Sequence, residues 1–125
     1  MLDSTQKREN ALAVATLLED ARSMDTVVLD VHESCSFSDY FVITTVNSQG
    51  HLRGLMPQLD ELFRERDILP FHPRKRGSDI GWVLIDLGYA VIHLMTEELR
   101  EFYDLERLWF GAQKIYPTQV ASQTQ

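Results

Sequence analysis

The chain has 125 residues, enough for one buried core and too few for two. Its composition is that of an ordinary globular protein, 44% hydrophobic and 25% charged, with no apolar run near the roughly 20 residues of a membrane span. Nineteen acidic residues against twelve basic ones give a formal charge of −7, which argues against broad nucleic-acid contact and steers the chain toward basic protein surfaces.

The first element reads as an amphipathic helix from Asp3 to Ser23, because Ala11, Val14, Ala15, Leu18 and Ala21 recur at helical spacing. Asp3 and Gln6 are spaced as a capping pair at its start. The N-terminal stretch has neither the build of a secretory signal nor the Arg-rich, acid-poor character of a transit peptide, so cytoplasmic residence is expected. Thr26 to Val31 then forms a β-branched run suited to a strand buried on both faces. Glu33 to Asp39 is a short polar connection, and Tyr40 to Val46 is a second strand. So short a link suits antiparallel neighbours. Cys35, in that connection, is the only cysteine, which excludes an internal disulfide and any multi-thiolate metal site.

Asn47-Ser48 opens a second helix whose apolar stripe is Leu52, Leu55, Met56, Leu59, Leu62 and Phe63. Pro57 interrupts its hydrogen bonding, but the stripe continues across it, so one kinked helix is predicted. Leu69 to Pro73 reads as a short edge strand, since Pro70 and Pro73 cannot donate to a ladder. Arg74-Lys75-Arg76-Gly77 is a basic turn. Trp82 to Asp86 and Tyr89 to Met95 are strands joined through Leu87-Gly88, a hairpin signal. Short helical turns follow from Thr96 and from Leu105 to Gly111. Residues 1–114 are expected to form a single domain, with Ile115 to Gln125 a flexible tail. The order gives an α/β fold with a mixed sheet of about five strands flanked by helices.

A catalytic reading would be magnesium-dependent nucleotidyl transfer, with paired carboxylates on adjacent strands. Asp30, Asp39 and Asp86 lie in or beside strands, yet no Asp-x-Asp or Asp-x-Glu pair occurs within one, and Val46 stands where close phosphate approach favours glycine. His32, His51, His72 and His93 fall on separate elements with no metal-ligand spacing. No catalytic residue, metal or cofactor is therefore expected. The segment Arg100 to Trp109 mixes aromatic anchors with charges, as binding surfaces do. Phe102 and Leu105, at i and i+3, suit a packed stripe and leave Tyr103 and Trp109 as exposed anchors. Trp82, at the start of its strand, suits core packing and surface contact equally.

Several motifs fall in one order: Ser38-Asp39-Tyr40-Phe41-Val42-Ile43, Asn47-Ser48, Trp82-Val83-Leu84-Ile85-Asp86-x-Gly88, Val91-Ile92-His93, and Arg100-x-Phe102-Tyr103-x-Leu105-Glu106-x-Leu108-Trp109. Together they resemble the ribosomal silencing factor, or Iojap, family over Ala11 to Ala112. The resemblance implies a nucleotidyltransferase-like α/β fold without catalysis. It also implies binding to the large ribosomal subunit through its fourteenth ribosomal protein. Such binding would block joining of the small subunit and repress translation when nutrients are scarce. A homodimer in the free state and little direct RNA contact are also implied. The chain departs from the family pattern at Arg76, where an acidic residue is usual, at Val46 for glycine and at Tyr89 for aspartate. On this reading Trp82, Tyr103, Leu105 and Trp109 supply apolar contact to the ribosomal protein. Asp39, Glu106 and Arg107 supply charges, and Phe102 with Leu108 packs inward.

Overall fold

A computed structural model describes residues 2–70, 81–109 and 111–117. Its elements run α1 (Ser4–Asp20), β1 (Met24–Asp30), β2 (Tyr40–Val46), α2 (Gln49–Glu65), β3 (Trp82–Asp86), β4 (Ala90–Thr96), α3 (Glu97–Tyr103), α4 (Leu105–Leu108) and β5 (Gln113–Tyr116). Among the described residues the strands form one five-stranded sheet in the order β3-β4-β2-β1-β5. The pair β2/β4 is parallel and the other neighbours are antiparallel, so the sheet is mixed.

The two long helices form where the sequence supplies both a start and a stripe. Asp3 caps α1 reciprocally with Gln6, the side chain of each accepting from the other's backbone N–H. Ser48 caps α2 by accepting from the His51 N–H. Ala11, Val14, Ala15 and Leu18 of α1 are fully buried, and Leu52, Leu55, Leu59 and Phe63 of α2 face the same core. The helix α2 runs unbroken through Pro57. Both Pro57 and Arg53, whose carbonyl the proline leaves unbonded, are exposed, so water can satisfy the freed oxygen.

Alternation along the strands divides the apolar residues between two faces. Tyr40, Val42 and Val46 of β2, Val83 and Ile85 of β3, and Ala90, Ile92 and Leu94 of β4 pack against α1 and α2. Val27, Leu29, Phe41, Ile43, Val91 and Met95 point the other way, where, among the described residues, Trp82 of β3 and Leu99, Leu105, Trp109 and Ala112 of the C-terminal segment pack on them. Among the described residues, one face is thus roofed by two long helices and the other only in part.

Two expected family departures are absorbed into this framework. Val46 is buried in the helix-side core. The Tyr89 hydroxyl accepts from Asn10 Nδ2 at 2.9 Å, and Asn10 Oδ1 accepts from Arg66 Nε at 2.9 Å. That relay ties α1, the end of α2 and the β3–β4 turn together.

The sequence reading needs three corrections here. The helix α1 ends at Asp20, before Ser23. Leu69 and Pro70 are not in a strand, and Phe71, His72 and Pro73 lie outside the described residues, as do Arg74, Lys75, Arg76 and Gly77. The fifth strand is instead Gln113–Tyr116, with Ile115 buried at 8% exposure, so the sheet continues past the expected domain end at residue 114. No helix among the described residues is long and apolar enough to cross a membrane.

Candidate partner-docking face

The half-covered face of the sheet carries a continuous row of aromatic rings. Phe37, in the β1–β2 connection, lies 6.1 Å from Phe41 on β2. Phe41 meets His93 on β4 edge-on at 5.1 Å. His93 is 5.9 Å from Trp82 on β3, Trp82 is 4.9 Å from Tyr103 on α3, and Tyr103 meets Phe102 edge-on at 4.9 Å. These separations are those of favourable ring pairs. Strand order explains the row: β2, β4 and β3 are adjacent, so same-face residues on them become neighbours.

The row begins and ends in solvent. Phe37 is 65% exposed, Phe102 76% and Tyr103 47%, and Leu84, opposite His93 on β3, is also exposed. Its middle is anchored, since Phe41 and His93 are buried. Exposed rings seated on buried ones are a common composition of energetic centres in protein interfaces.

Charge lies at the flank of the row. The helix α3 carries Phe102 and Tyr103, and its Glu97 and Glu101 line a groove of about 470 Å³ together with Asp25, Asp104, Glu106, Arg100 and Lys114. At the end of β1, His32 Nδ1 lies 2.6 Å from Asp30 Oδ1. That hydrogen bond, then the charges of Asp30, Glu33 and Asp39, push the His32 pKa up. His93 is the opposite case. Burial alone lowers its pKa to about 4, so its ring is neutral.

Of the expected contact residues, Trp82 and Tyr103 stand side by side in the row. Leu105 is half-buried against the sheet. Trp109 also turns inward, its ring edge-on to Phe41 at 5.4 Å, and so is not the exposed anchor its spacing suggested. Phe102 and Leu108 correct the expectation in the other sense: both are exposed, Leu108 at 70%. The left-handed Asp104 ends α3 at Tyr103 and α4 begins at Leu105, so Phe102 and Leu105 do not share one helical stripe. Glu106 is held internally, its two oxygens accepting from Arg100 Nε at 3.1 Å and Nη2 at 2.9 Å. Arg107 is exposed on α4. Asp39 is half-exposed, and its backbone joins the start of β2 to Val31 and Tyr89.

Sequence reasoning missed Phe37, Phe41, Leu84 and His93 as members of the face. The alternation of Phe41, Ile43 and of Val91, His93 was visible, but nothing in the chain says which side of the sheet the long helices take.

A family model described as ribosomal silencing factor during starvation matches residues 4–125. Over 100 residues the chain is 39% identical to the ribosomal silencing factor RsfS of Treponema pallidum, covering 79% of this chain and 88% of that protein. It is 33% identical over 98 residues to mouse mitochondrial assembly of ribosomal large subunit protein 1, covering 77% of this chain but 43% of the longer mouse protein. Among solved structures, a Chromobacterium violaceum protein superposes with a TM-score of 0.73 at 26% identity, covering 90% of each chain.

Proposed function

The chain belongs to the ribosomal silencing factor family, and from that premise we propose that it silences ribosomes by occupying a surface, without chemistry. Its target on this reading is the large ribosomal subunit, engaged through the basic fourteenth ribosomal protein. Bound there, it excludes the small subunit and so lowers translation when nutrients are scarce. The compartment is the cytoplasm.

The observation that carries this reading is the aromatic row from Phe37 to Phe102 on the half-covered sheet face. Large rings in contact, anchored beneath and exposed at the ends, are the usual composition of energetic centres in protein interfaces. The formal charge of −7 and the acidic groove beside α3 favour a basic partner and disfavour RNA. The mouse relative is named for assembly of the large subunit, the same subunit proposed here.

Nucleotidyl transfer is the weaker reading on geometry. Asp30 ends β1 and Asp86 ends β3, three strand positions apart in the sheet, or about 14 Å at ordinary strand spacing. Asp86 also caps the β3–β4 turn by accepting from the Gly88 N–H at 2.8 Å, and Asp30 is engaged by His32. Two carboxylates so placed cannot share one magnesium ion.

Co-sedimentation with purified large subunits tests the proposal. The wild type should pellet with large and not small subunits, and Trp82→Ala or Tyr103→Ala should stay in the supernatant. Wild-type protein that fails to pellet would sink the reading. In the free state the same apolar face would be shared between two copies as a homodimer. Analytical ultracentrifugation should then give dimers for the wild type and monomers for Phe102→Asp.

A further inference from the structure

Trp82 and His93 meet diagonally across the β3/β4 pair, where Trp82 opposes Met95 and Leu84 opposes His93. The Trp82 indole N–H donates to His93 Nδ1 at 3.3 Å. The imidazole itself is buried at 5% exposure, between the Phe41 and Trp82 rings. Because Nδ1 accepts, the proton of the neutral ring sits on Nε2, a buried donor with no hydrogen-bond partner among the described residues. For packing alone a phenylalanine would fill this position without a buried polar nitrogen. The histidine brings one thing a phenylalanine lacks, an acceptor for the indole.

We infer that His93 is a positioning residue of the docking face, fixing Trp82 in one ring orientation and, through it, the exposed pair Tyr103 and Phe102. The inference rests on the docking reading above. An indole is unsymmetrical about its side-chain bond, so of two flipped orientations only one puts N–H on His93 Nδ1. The fixed ring then sets the Tyr103 ring, and Tyr103 sets Phe102. A surface ordered before its partner arrives loses less side-chain freedom on binding. His93 makes no contact of its own with solvent to speak of, so it acts through Trp82.

The test uses the full chain. His93→Phe keeps a ring and removes the acceptor. In ¹⁵N-labelled protein the Trp82 indole N–H resonance, assigned with Trp109→Phe, should move upfield and exchange faster with water. Affinity for purified large subunits should fall about fivefold or more, and less than about twofold when the same change is made in a Trp82→Phe background, since coupled residues are not additive. If His93→Phe does not fold, the link is read from the other side. The ¹⁵N resonance of His93 Nδ1 should then move in Trp82→Phe. An unmoved Trp82 or His93 resonance, or an equal loss of affinity in both backgrounds, overturns the inference. Wild-type protein that does not bind large subunits instead overturns the docking reading, and the two resonances still decide whether His93 holds Trp82.

Discussion

Arg100 and Glu106 grip one another through two hydrogen bonds, at 3.1 and 2.9 Å, across the left-handed backbone of Asp104. The same guanidinium donates from Nη1 to Thr45 Oγ1 on β2 at 3.0 Å. One side chain therefore clamps α3, α4 and the sheet, and sets where Phe102 and Tyr103 stand.

Glu106→Ala should destabilise the protein by about 2 kcal/mol, because it leaves a nearly buried guanidinium with Thr45 as its one hydrogen-bond partner among the described residues. The value is below that of a fully buried pair since the Glu106 side chain is 35% exposed. Urea unfolding measures it as a lower midpoint at unchanged slope. Glu106→Gln, which keeps one strong acceptor, should lose less.

Phe102 and Trp109 should separate binding from folding. Phe102→Ala removes an exposed ring and should change stability by less than about 0.5 kcal/mol while weakening ribosome binding by about 2 kcal/mol. Trp109→Ala empties space against Phe41 and should cost about 3 kcal/mol of stability. Thermal unfolding and co-sedimentation on both variants check the crossing.

Acid should weaken the fold through His93. Its folded pKa is lowered from 6.5 to about 4, so above pH 6.5 it is neutral folded or unfolded and costs nothing. As pH falls from 6.5 toward 4 the unfolded chain takes up the proton first, and stability drops by up to about 3 kcal/mol. His32 works in the opposite direction: its raised pKa lends stability present below 6.5 and lost as pH rises through the folded value. Comparing pH–stability curves of the wild type and His93→Phe isolates the first effect. The difference between them should open only below pH 6.5.

Gly81→Ala should damage both fold and function. Gly81 has φ of 84°, and a Cβ there would lie 3.0 Å from Thr96 Cγ2 and 3.3 Å from Leu99 Cδ1. Thr96 caps α3, so the push falls on the helix that carries Phe102 and Tyr103. A loss of about 1–3 kcal/mol is expected by calorimetry, with weakened subunit binding.

The parts of the fold legible in the sequence are those with a long repeating pattern. Leu52, Leu55, Leu59 and Phe63 announced α2, and the β-branched runs announced β1, β2 and β4. The strand β5 was not legible. With four residues and only Ile115 buried, it has one inward side chain and so no alternation to read. The docking face was half legible. Trp82 and Tyr103 stood out by type, while the outward turn of Phe102 and the inward turn of Trp109 depend on how α3 and α4 sit on the sheet. That placement is set by Arg100 reaching Thr45, a contact between residues distant in sequence.

The open aromatic row also gives the free protein a colloidal character. Each molecule presents rings to water while carrying a formal charge of −7, so two copies repel electrostatically at the distance from which their apolar faces would attract. Salt screens that repulsion and equally screens attraction to a basic partner, over a length of about 10 Å at 0.1 M. On the proposed docking, raising ionic strength should therefore favour self-association and weaken ribosome binding together, and dilution in low salt should favour the opposite pair of states.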